Sequence, residues 1–152
     1  MDPNNLPDIS LFRSVTPVQI RFNDVDVLGH VNNTVYFSYY DTGKARYFEA
    51  VQGKKVEWKH VDTVIANVNC AYMAPIYFEE DIEVLTACTA VYDKSFRLLQ
   101  AIREKRTGQI KSMCETIMVS FDPSTGHSRP LPEEWRKMLD DYEGHSLKKA
   151  KE

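Results

Sequence analysis

Beyond residue 61 the chain runs through four consecutive apolar-rich stretches whose connections are very short. In the first, Val64, Ala66, Val68, Cys70 and Tyr72 alternate with Ile65, Asn67, Asn69 and Ala71, the period of two that places successive side chains on opposite faces of a strand. "IEVLTACTAVY", "SFRLLQAIREKR" and "QIKSMCETIMVSFD" follow, separated by little more than "DK" and "TG". A parallel crossover needs a dozen residues or more, so these connections admit only antiparallel hairpins. "APIYFEED", with Pro75 and its acidic residues, reads as the turn between the first pair.

One long helix precedes this sheet. In "NNTVYFSYYDTGKARYFEAVQ", Tyr36, Tyr40, Gly43, Tyr47 and Val51 recur at helical spacing, with Val35, Phe37, Tyr39 and Phe48 widening the apolar face. Asn32 or Asn33 can cap its start and Gly53 its end, and the width of the face predicts a helix that is mostly buried. "PVQIRF" adds an earlier strand, and "PEEWRKMLDDYEG" a terminal helix with Pro132 near its first position. The expected class is therefore α+β: an antiparallel five-stranded sheet around a long central helix. A chain of 152 residues suits one such domain, expected over residues 16–142, with a loose segment at 1–15 and a charged, frayed tail at 143–152. One helix cannot cover both faces of five strands, so a homodimer, and beyond it a homotetramer, is the expected way to hide the rest.

Charge excludes several function classes. The net charge of −3 and the scattered Lys and Arg give no field for a polyanion, so no nucleic-acid partner is expected. No apolar run approaches the roughly 20 residues that span a bilayer, and "MDPNNLPDISLF" lacks the plan of a secretory signal; no membrane partner and a cytoplasmic location are expected. Cys70, Cys88 and Cys114 are odd in number and widely spaced in strand-like segments, which points to buried thiols.

The densest chemistry lies in "DVDVLGHVNN", residues 24–33. An EF-hand loop counted from Asp24 fails, because Leu28 stands at the fifth position and Val35 at the twelfth. "DTGKAR" is no phosphate loop, since Ser38 stands where the earlier Gly belongs and Ala45 follows Lys44. No G-x-S-x-G or G-x-G-x-x-G motif is present. What remains is a carboxylate, a glycine and a histidine at the start of a buried helix, whose free amides and dipole favour negative charge. An acyl carbonyl developing an oxyanion suits that place, with Asp26 as nucleophile or general base. His30 can orient substrate or water, or simply bond the helix entry. In "YDKSFR", Lys94 and Arg97 flank a hairpin, where exposed charges often serve solubility alone.

"FNDVDVLGHVNNTVYFSYYD", "YMAPIYFEED" and "DKSFRL" together resemble the hotdog-fold acyl-CoA thioesterases of the 4-hydroxybenzoyl-CoA thioesterase type, from about Pro17 to Trp135. The resemblance implies hydrolysis of an acyl-CoA thioester to a free acid and coenzyme A, without a metal or organic cofactor. It implies that Asp26 is the catalytic carboxylate and that the backbone amide of Asn33 polarises the thioester carbonyl. It also implies that Gly29 permits a close approach and that Ser95 belongs with Lys94 and Arg97 in substrate binding. Relatives acting on acyl carrier protein carry Asn where this chain has Leu28. A carrier-protein thioesterase and a non-catalytic acyl-CoA binder are the alternative readings.

Overall fold

The computed structural model of the chain describes residue 2, residues 4–60 and residues 62–150. Five strands form one antiparallel sheet: β1 (Ser14–Val18), β2 (Thr63–Tyr72), β3 (Ile82–Val91), β4 (Ser95–Glu104) and β5 (Ile110–Ser120). Helix α1 (Val35–Gln52) lies between β1 and β2 in the chain, and α2 (Glu133–Glu143) closes it. The spatial order is β1-β3-β4-β5-β2, so the second strand in sequence sits at the sheet's edge beside the last. This is the hotdog architecture that the sequence led us to expect, a sheet curled around one long helix.

The tyrosine stripe explains why α1 lies where it does. Tyr36, Tyr40, Gly43, Tyr47 and Val51 are all buried on the sheet's concave face. Tyr40 donates to Ser112 Oγ at 2.7 Å, and Gln100 reaches from β4 to the Tyr40 carbonyl at 3.0 Å, so polar groups at the centre of the interface pair with one another. The helix is less enclosed than its sequence suggests, because Phe37 is 40% exposed and Ser38, Asp41, Thr42 and Arg46 face solvent. Gly53 ends it in the left-handed conformation at φ 69°, its amide donating to the Glu49 carbonyl.

Two boundaries depart from the sequence reading. The first strand was expected in "PVQIRF", yet β1 runs from Ser14 to Val18 and residues 22–24 form a 3-10 turn that leaves Phe22 83% exposed. The inward positions of β1 are Ser14 and Thr16, small polar residues that carry no apolar alternation. At the other end the tail is held as far as Lys149: Leu147 is buried, the Val91 amide donates to its carbonyl and the Lys149 amide donates back to Val91, while residues 151–152 lie outside the described residues. The short α2 is held by Glu143, whose carboxylate accepts from Tyr47 Oη at 2.7 Å and from the Cys88 amide at 2.8 Å.

Candidate functional site

The loop between β1 and α1 is built by Asp24. Its carboxylate accepts from the Arg21 amide at 2.9 Å and from Tyr39 Oη at 2.7 Å, while its carbonyl accepts from the Asn32 amide at 2.8 Å. Burial pushes the Asp24 pKa up, but these bonds and the Arg21 charge outweigh burial and hold it below the ordinary carboxylate value. On the far side, Val31 donates to the Ile76 carbonyl at 2.8 Å. Asp24 is thus structural, and its bonds fix both ends of the segment that carries Asp26.

Residues 26–30 close on themselves, with the Asp26 amide donating to the His30 carbonyl and the Gly29 amide to the Asp26 carbonyl, both at 3.1 Å. Gly29 has φ 83° and no protein atom near the position of a Cβ, so within the chain its requirement is conformational. Asp26 Oδ1 accepts from the Leu28 amide at 2.9 Å, and Asn32 Nδ2 lies 3.4 Å from Oδ2. Asn32 also takes the Thr34 amide and hydroxyl, which makes it the side chain that prepares the helix entry; among the described residues the Asn33 side chain makes no capping bond.

Asp26, His30 and Asn33 line one cleft of about 460 Å³, closed on its other sides by Tyr36, Tyr72 and Pro75. The size is that of a small-molecule site. Tyr72 Oη donates to the Asn33 carbonyl at 3.0 Å, fixing the peptide at the start of α1 from across the sheet. Among the described residues no acceptor takes the Asn33 amide. Burial pushes the Tyr36 hydroxyl up to about 12, so it remains a donor through neutral pH. Its ring meets that of Tyr72 edge-on at 4.9 Å. Sequence reasoning placed Tyr36 in an aromatic helix stripe, part of which could line an acyl pocket, and Tyr72 in a strand; their shared place in the cleft comes from the fold.

Lys94, Ser95 and Arg97 are not brought to this cleft within one chain. Ser95 pairs with Val119, and Ser120 with Thr63, so the hairpin lies at the Thr63 end of β2, whereas the cleft lies at the Tyr72 end. Ten strand residues separate the two ends by about 30 Å. Arg97 there lies 3.8 Å from Glu115 and over the ring of Tyr92. A second, larger groove of about 540 Å³ opens between α1, the start of β2 and α2. Phe48, Trp58, Ile65, Met118, Trp135 and Met138 give it an apolar lining.

No group of His, Cys, Asp and Glu among the described residues could hold a metal ion, and no helix is long and apolar enough to cross a membrane.

Known proteins share this fold. A family profile described as the thioesterase-like superfamily matches residues 20–139. The chain is 24% identical to the long-chain acyl-CoA thioesterase FadM of Escherichia coli over 128 residues, 82% of this chain and 96% of FadM. It is 25% identical to the uncharacterised YsmA of Bacillus subtilis, covering 84% of this chain and 86% of YsmA. A thioesterase from Thermus thermophilus, crystallised with coenzyme A and zinc, superposes with a TM-score of 0.78 at 27% identity, covering 88% of this chain and 97% of that one. The chain belongs to the thioesterase-like superfamily and is a hotdog-fold thioester hydrolase.

Proposed function

We propose that this protein hydrolyses an acyl-CoA thioester to a free carboxylic acid and coenzyme A. The observation that carries the reading is the meeting of the Asp26 carboxylate and the unpartnered Asn33 amide in one cleft at the N-terminal end of α1. The amide and the helix dipole hold the oxyanion that forms when the carbonyl is attacked. Asp26 either attacks the carbonyl carbon, giving a mixed anhydride, or takes a proton from an attacking water; in both cases coenzyme A leaves as its thiolate. Hydroxylamine trapping of the anhydride separates the two routes. His30, half-buried on the cleft wall, orients the water or the substrate.

The working unit is a homodimer joined along β2. This strand is an edge, and Val64, Ile65, Val68 and Tyr72 are between 37% and 47% exposed along it. Antiparallel pairing of two β2 strands about a two-fold sets the Tyr72 end of one copy beside the Thr63 end of the other. The apolar groove of one subunit then adjoins the Asp26 cleft of its partner and takes the acyl chain along α1. The same operation carries Lys94, Ser95 and Arg97 towards the partner's cleft, where they meet the phosphates of coenzyme A. Three free thiols suit a reducing, cytoplasmic setting.

The test is thiol release from short, long and aromatic acyl-CoAs by wild type and Asp26→Asn. Turnover that the substitution lowers by about 10²- to 10⁴-fold supports the reading. Absence of turnover on every CoA ester, with activity on acyl groups borne by a carrier protein, overturns it.

A further inference from the structure

Two of the three cysteines face each other across neighbouring strands. Cys70 on β2 and Cys114 on β5 are direct partners in the register, on the concave face. The kind of pair matters. The Met73 amide donates to the Lys111 carbonyl at 2.9 Å, a bond that flanks the Tyr72 and Ser112 pair and makes that pair a non-hydrogen-bonded one. The register runs without a shift from there to Cys70 and Cys114, which therefore occupy the next non-hydrogen-bonded pair. Such pairs hold their Cα atoms about 4.5 Å apart, inside the range of about 4.4–6.8 Å that a disulfide bridges.

We propose that Cys70 and Cys114 form a reversible oxidation site, closing to a cross-strand disulfide when the protein meets a peroxide. Cys70 is the attacking thiol. It is half-buried, and its sulfur lies 3.5 Å from Ser112 Oγ. The neighbouring Cys114 thiol, with Ser112 and Tyr72, outweighs burial and holds the Cys70 pKa below the ordinary thiol value. Cys114 is 1% exposed and keeps its proton. The Cys70 thiolate attacks one peroxide oxygen, forming Cys70–SOH and releasing hydroxide, which takes up the proton Cys70 had lost and becomes water. Cys114 sulfur then displaces the sulfenic oxygen, its own proton leaving with that oxygen as a second water. Two thiols are oxidised, one peroxide is reduced, and the atoms balance.

Cys88 provides an internal control. Burial pushes its pKa up to about 12, and its thiol donates to the Ala90 carbonyl at 3.6 Å, in a cluster separate from that of Cys70 and Cys114. The bridge would tie the edge strand β2 to β5 two residues from Tyr72, which holds the start of α1.

The experiment is mass spectrometry of the full chain after hydrogen peroxide and blocking of remaining thiols. Cleavage after Lys, Arg and Glu is required, because Cys70 and Cys88 share a peptide when cleavage follows Lys and Arg alone. The expected result is a Cys70–Cys114 linked peptide lighter by two hydrogens than its reduced halves, reversed by dithiothreitol. It persists in Cys88→Ser and disappears in Cys70→Ser and Cys114→Ser. In Cys114→Ser a sulfenic-acid probe labels Cys70, which separates loss of the resolving thiol from loss of the fold. Oxidation should also raise the thermal midpoint of the wild type, and dithiothreitol should restore it. A reduced Cys70 after peroxide, a Cys70 carried to the sulfinic acid without any linked peptide, or a link to Cys88 or between chains overturns the proposal.

Discussion

Asp24 and Asp26 stand two residues apart in one motif and meet opposite fates. Asp24 is 2% exposed and spends its carboxylate on Arg21 and Tyr39; Asp26 lies on the wall of the cleft. Asp24→Asn should cost about 1–3 kcal/mol, the range for disturbing a buried, hydrogen-bonded charge. Because the folded-state pKa of Asp24 is lowered, its contribution is present above the unfolded carboxylate pKa and is lost as pH falls through the folded value. Urea unfolding of wild type and variant over a pH series should therefore show their gap narrowing in acid. Tyr72→Phe removes the bond to the Asn33 carbonyl. A loss of about 1 kcal/mol corresponds to about a fivefold fall in kcat with KM little changed, if the bond matters chiefly when the amide holds the oxyanion. An equal rise in KM instead would assign Tyr72 to substrate binding.

At the scale of elements, the approach of α1 to the sheet is set at Gly43. A Cβ there would lie 2.5 Å from Val84 Cγ1 and 3.1 Å from Gln100 Nε2. Helix propensity favours Ala over Gly by about 1 kcal/mol. The overlap falls on a fully buried Val84, and overpacking of this kind costs about 1–3 kcal/mol. Gly43→Ala should thus lower the urea midpoint; a raised midpoint would show that the helix can ride outward without loss. Of the helix itself, the stripe and its Gly53 end could be read directly, because both are local patterns. The start of β1 could not, because Ser14 and Thr16 face inward without apolar side chains and the alternation of Val18, Ile20 and Phe22 runs on past the strand.

For the molecule as a whole, the exposed edge is the main question. Amides on β2 that serve β5 belong to residues in step with Ala71, so Val68, Cys70 and Tyr72 turn theirs outward. Val68→Pro removes an outward amide without taking any donor from the β2–β5 ladder. Sedimentation velocity should show a dimer in the wild type and a monomer in the variant, with far-ultraviolet circular dichroism retained and thiol release lost. A variant that stays dimeric would move the interface elsewhere.

The order of strands and helices, the extents of the last four strands to within a few residues and the loop rich in catalytic residue types follow from the sequence alone. They rest on local periodicity and on the few residues that end a helix or make a turn. The tertiary structure decided which aspartate is buried, that Tyr72 reaches Asn33, that Lys94, Ser95 and Arg97 lie at the far end of the sheet, and that Cys70 opposes Cys114. The last three depend on β2 crossing the fold to pair with β5 at the edge, a contact between segments 40 or more residues apart that no local pattern encodes.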